Sequence, residues 1–150
     1  MADILHLIKI NATREKAYQA IASAQGVRSW MTRDADLDTK LGGRGELRFA
    51  DGKRITKIEI EELKPSTRVV WKVLSAPIPT WAKTKIEFVL AAEDSGTTLR
   101  FAQRGFEHAD DLFAYSATAW ANFLISLKEY LETGKGMPHP DDMLSRVAKP

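Results

Sequence analysis

The chain has 150 residues, with 22 Lys plus Arg against 20 Asp plus Glu, a formal charge of +2 and 44% hydrophobic residues. That length supports one self-sufficient core, and the absence of cysteine excludes disulfides, thiolate zinc sites, iron–sulfur clusters and cysteine nucleophiles. The small, scattered charge argues against a nucleic-acid surface; with no basic-then-apolar leader and no run near ~18 apolar residues, the expectation is a cytoplasmic protein that does not span a membrane.

Residues 3–10 read as a strand, with Ile4, His6, Ile8 and Ile10 on one face and Leu5, Leu7 and Lys9 on the other. Residues 11–23 read as a helix, with Thr13 placed to cap it. Gly26 is expected to interrupt, with a second short helix ending near Trp30. The period then changes to two. Asp34, Asp36 and Asp38 alternate with Ala35 and Leu37, Gly42–Gly45 turns the chain, and 45–50 forms a strand carrying Leu47 and Phe49. Asp51-Gly52 predicts a two-residue hairpin turn. Strands follow over 54–63, with Ile58 and Ile60 inward, and over 67–74, with Val69, Trp71 and Val73 together. The two prolines of 76–80 require a loop. Two more strands carry Thr84, Ile86, Phe88 and Leu90, then Leu99, Phe101 and Gln103.

Phe113, Ala117, Trp120, Leu124, Leu127 and Leu131 recur at spacings of four and three. They predict an amphipathic helix over about 110–133, capped by Asp110 or Asp111 and ended by Gly134. Residues 137–150 show no period and read as a surface tail after a domain over 1–136. Strands followed by one long helix give an α+β fold: a bent antiparallel sheet of six to seven strands around the C-terminal helix, with two short helices after the first strand.

Three segments carry a family resemblance: ITKIEIEELKPSTRVVWKV, TWAKTKIEFVLAAEDSGTTLRFAQRGF and WANFLISLKEYLETGKGMPHP. The chain resembles the helix-grip fold of the START-like (SRPBCC) superfamily, in the branch named after activators of heat shock protein 90 ATPase. The resemblance implies a cavity between the long helix and the sheet, which in this superfamily often holds lipids, sterols, polyketides or plant hormones. It also implies a stress-related chaperone partner as one alternative and a cyclase or hydrolase as another.

With that fold, the alternation points Trp30, Phe49, Ile58, Trp71, Phe88, Phe101, Phe113, Trp120 and Leu124 at the cavity, as lining or simply as core. His6 and Gln103 are polar residues on apolar faces of strands that are neighbours in this fold, so they are expected close together as polar anchors. His6 is the one candidate base. Ser116 faces the cavity beside Trp120 or bonds back to a helix carbonyl.

Other patterns fail on chemistry. Asp34, Asp36 and Asp38 open like a calcium loop, but Thr39 and Gly45 stand where Gly and Glu are needed. Glu61 and Glu62 are expected on opposite strand faces. His6, His108 and His139 form no close-spaced metal pair, no nucleophile elbow is present, and no cofactor motif appears. Arg44, Arg48, Lys53, Arg54 and Lys57 gather at one hairpin, as a solvated face or as a docking patch. The sequence therefore favours a non-enzymatic protein binding a small hydrophobic molecule. Exposed Leu5 and Leu7 suggest a homodimer.

Overall fold

The computed structural model describes residues 1–144. Seven strands form one antiparallel sheet: β1 (Ala2–Ile10), β2 (Asp34–Leu37), β3 (Arg44–Phe49), β4 (Arg54–Lys64), β5 (Arg68–Ser75), β6 (Lys85–Glu93) and β7 (Gly96–Phe106). Their spatial order is β1-β7-β6-β5-β4-β3-β2. The last strand thus pairs with the first, and β1 and β2 are the edges. Bulges interrupt the β4–β5 register between Lys57 and Ile58 and between Ile60 and Glu62, and bulges bend a strand and increase its twist.

Two short helices, α1 (Arg14–Ala22) and α2 (Ala24–Trp30), follow β1. Thr13 caps the first by accepting from the Lys16 N–H at 3.2 Å. The break between them falls at Ser23, not at Gly26 as expected. The Ser23 hydroxyl accepts from the Gly26 N–H at 3.0 Å and starts α2. Gly26 sits inside α2 because a Cβ there would collide with the Ala20 backbone.

The β3–β4 turn also differs from the expectation. Phe49 pairs with Arg54, so the connection spans four residues. Ala50, Asp51 and Gly52 all take positive φ, and glycine and aspartate tolerate this best.

The long helix α3 (Asp111–Thr133) begins at Asp110, whose carboxylate accepts from the Phe113 N–H, and ends at left-handed Gly134. Its buried face is wider than predicted and is turned slightly. Ser116, Ala119, Trp120, Phe123, Leu124, Ser126 and Leu127 are buried, while Phe113, Ala117 and Leu131 are half-buried at the margin. α3 lies along β1, tied by Lys128 Nζ to the Lys9 carbonyl (2.6 Å) and by the Asn11 N–H to Glu132 (2.7 Å).

The core fills the space between the inner sheet face and the helices. Trp30, Trp71, Phe88, Phe101 and Trp120 are each at most 1% exposed. Their rings meet mostly edge to face, with Phe88 at its centre 5.0 Å from Trp71 and 5.4 Å from Phe101, a favoured aromatic geometry. The outer face carries charge. Asp3–Arg104–Glu87–Arg68–Glu62 form a chain of ion pairs across it. Glu61 pairs with Lys85 on that same face. The β4 bulge thus brings Glu61 and Glu62 to one side, where simple alternation put them on opposite sides.

The segment after α3 is pinned as far as it is described. Met137 N–H donates to Ser126 Oγ (2.7 Å), and His139 bridges Thr32 through backbone bonds with Met31 and Arg33. Gly136 and Pro138 are buried. Positions 145–150 of the expected tail lie outside the described residues.

Candidate functional site

A cavity of about 400 Å³ opens at one end of the sheet–helix interface. That volume lies within the usual range for small-molecule sites, roughly 300–1,000 Å³. Its floor is Leu47, Phe49, Arg54 and Thr56 of the β3–β4 hairpin, one wall is the 76–81 loop with Ile78 and Trp81, and the roof is Tyr115, Ala119, Trp120 and Phe123 of α3. Tyr115, Ala119 and Phe123 stand four apart and so form one row on the helix. The returning chain supplies His139, Asp142 and Leu144 as the last wall.

Among the residues expected to line a cavity, Phe49 and Trp120 do so. Trp30, Ile58, Trp71, Phe88, Phe101 and Leu124 are fully packed in the core beyond it. Phe113 packs edge-on against Phe106, ring centres 5.2 Å apart. Side-chain bulk explains the division. Tryptophan and phenylalanine from both layers meet in the middle, whereas Ala50, Ala76, Pro77 and Ala119 leave space at the end.

The two expected anchors are used internally. Gln103 is fully buried, accepts from Trp120 Nε1 at 2.8 Å and donates to Thr84 Oγ1 at 2.9 Å. Its register partner on β1 is Ile4, while His6 faces Phe101. His6 Nε2 lies 3.0 Å from the Ala117 carbonyl of α3, so the imidazole straps the edge strand to the helix. Neither residue lines the cavity. Ser116 bonds back to its helix, the hydroxyl donating to the Leu112 carbonyl (2.7 Å), and it also accepts from Trp81 Nε1 (2.7 Å). It thereby holds the indole that forms one cavity wall. Trp30 Nε1 donates to the Ala20 carbonyl, and Trp71 Nε1 has no partner among the described residues.

Most of the lining, including Arg54, Trp81, Tyr115, Phe123, His139 and Asp142, lies outside the site residues expected from sequence. Arg54 was grouped with the basic hairpin, but that group splits by face. Arg48 points outward and binds Asp34 (2.9 Å) and Asp36 (2.6 Å), and it holds the Asp36 carboxyl below its ordinary range. Arg54 shares the inner face with Phe49, its register partner. His139 lay in the aperiodic tail. Its Nε2 accepts from the Ala50 N–H at 3.1 Å, which leaves the ring proton on Nδ1, 3.4 Å from Asp142. No group of three or more His, Cys, Asp or Glu positioned to hold a metal occurs among the described residues, and no helix among them is long and apolar enough to cross a membrane.

Residues 11–132 match the model of the family described as Activator of Hsp90 ATPase homolog 1-like protein. The chain belongs to that family. The Aha1 protein of Colwellia psychrerythraea, whose solution structure is a dimer, is 34% identical, with a TM-score of 0.81 over 91% of this chain and 100% of that one. Two crystal structures share the fold at lower identity. A Mesorhizobium loti protein is 19% identical (TM-score 0.77, 87% of this chain, 97% of that one). A Staphylococcus saprophyticus protein is 20% identical (TM-score 0.73, 90% and 95%). No curated protein matches significantly. The family places the chain within the START-like superfamily and its helix-grip fold.

Proposed function

We propose that this Aha1-like protein binds a small apolar ligand, without catalysis, in the cavity roofed by α3. The observation that carries the reading is the cavity itself: about 400 Å³, walled mainly by Leu47, Phe49, Ile78, Trp81, Trp120 and Phe123. Apolar walls with a few polar groups are the usual make-up of such a site. A fluorescent naphthalene-type dye titrated into the protein tests it. Saturable binding that is weakened at least tenfold by Ala76→Phe, which fills the mouth, is the expected result. Unchanged binding in that variant overturns the reading.

A homodimer is the second element. Leu5 and Leu7 are 66% and 57% exposed on the edge strand β1, where unpaired backbone and apolar side chains invite a second strand. The dimeric Colwellia relative supports it. Sedimentation should show a dimer that Leu5→Glu with Leu7→Glu dissociates; a monomeric parent protein overturns it.

A further inference from the structure

Among the described residues that line the cavity, Arg54 supplies the only Lys or Arg side chain. It is half-buried, and no ion pair or hydrogen bond engages it among the described residues. Three other arginines on the sheet are neutralised, Arg48 by Asp34 and Asp36, Arg68 by Glu62 and Arg104 by Asp3, while Arg44 and Arg100 are exposed and outside the cavity. The cavity carboxylate, Asp142, has partners of its own. It accepts from Asn122 Nδ2 at 3.2 Å and faces His139 Nδ1, and its side chain is only 6% exposed. The Tyr115 hydroxyl also borders the cavity and makes no hydrogen bond among the described residues.

A guanidinium that lines a largely apolar cavity and has no ion pair of its own is a natural receptor for an anion, because its fork of N–H donors matches a carboxylate in two bonds. We infer that the ligand is an amphipathic monocarboxylate, its acid group on Arg54 and Tyr115 and its apolar body against Phe49, Trp81, Trp120 and Phe123. This rests on the ligand-binding reading above and adds the charge of the ligand. Burial pushes the Tyr115 phenol up, partly opposed by the Arg54 charge and reinforced by the Asp142 carboxylate. The phenol therefore keeps its proton at neutral pH, and its O–H donates a hydrogen bond to the acid group. One guanidinium and one hydroxyl suit a single negative charge; a phosphate dianion would need further donors.

Three probes with one apolar body separate the outcomes: decanoate, decan-1-ol and decylamine, titrated with tryptophan fluorescence as readout, since Trp81 and Trp120 line the cavity. Decanoate should bind at least tenfold more tightly than the other two. Arg54→Met, which keeps the aliphatic stem, should weaken decanoate by about ten- to a hundredfold, the usual size of a charge-assisted pair, and leave decan-1-ol unchanged. Tyr115→Phe should weaken decanoate severalfold; it carries the test by itself if circular dichroism finds the Arg54 variant unfolded. Equal affinity for acid and alcohol, unmoved by either variant, overturns the carboxylate and leaves the apolar reading standing. No saturable signal from any probe overturns both.

Discussion

The same sheet face and the same helix behave differently at their two ends. In the middle, Trp71, Phe88, Phe101 and Trp120 interlock, and Gln103 pairs with both Trp120 and Thr84, although Trp71 Nε1 is buried without a partner among the described residues. At the β3–β4 end, Phe49 and Tyr115 are half-buried, and Arg54 and the Tyr115 hydroxyl stand without partners among the described residues. Scaffold is common to both regions; side-chain volume and polar satisfaction are not. A closed interior pairs most of its buried donors, with Trp71 Nε1 the exception here among the described residues. Where an unpaired donor faces a hollow instead, the missing partner is best sought outside the chain.

Matched truncations give the largest test of that contrast. Phe88→Ala should cost about 3–5 kcal/mol in urea unfolding, since the hole cannot collapse among fully packed rings. Phe49→Ala should cost less than half as much, because its ring already borders empty space. Equal costs would mean that the end is packed as tightly as the middle.

Next in size is Gln103→Leu. Similar volume with no acceptor leaves Trp120 Nε1 buried and unpaired, a loss of about 1–3 kcal/mol, with dye binding unchanged. A shift in dye affinity would tie Gln103 to the cavity after all. Ser116→Ala should have the complementary effect. It removes the acceptor of Trp81 Nε1, costs about 1 kcal/mol, and loosens dye binding because Trp81 is a cavity wall.

The smallest effect concerns neither region but the charged exterior. Arg68 holds the Glu62 carboxyl below the ordinary 4.5, and Lys9 does the same for Glu93. Groups depressed in the folded state add stability that is fully present above their unfolded value and is lost as pH falls through the folded one. The urea midpoint should therefore decline only below about pH 4.5. Added salt should shrink the decline, since these pairs are solvent-exposed.

Much of the fold was legible because alternation and the four–three stripe report which face is buried. The inward phase of Ile58 and Ile60 runs back through Thr56 to Arg54, so the cavity arginine was readable; grouping by charge rather than by phase hid it. The aromatic residues were harder. Periodicity says that Trp71 and Phe88 point inward, but only the sum of facing volumes decides whether they fill the space or border it. His139 carried no local signal, because its place depends on Ala50, far away in sequence. The β4 bulge likewise follows from pairing with β5, and so the shared face of Glu61 and Glu62 could not be read from alternation.

Gly136 is where the chain turns back after α3, and a methyl group there would stand 2.5 Å from the Ser29 carbonyl oxygen. The contact acts as a hinge pin between two separately editable parts. All seven strands are paired before this point, so residues beyond it, His139 and Asp142 among them, build a cavity wall without setting the register of the sheet.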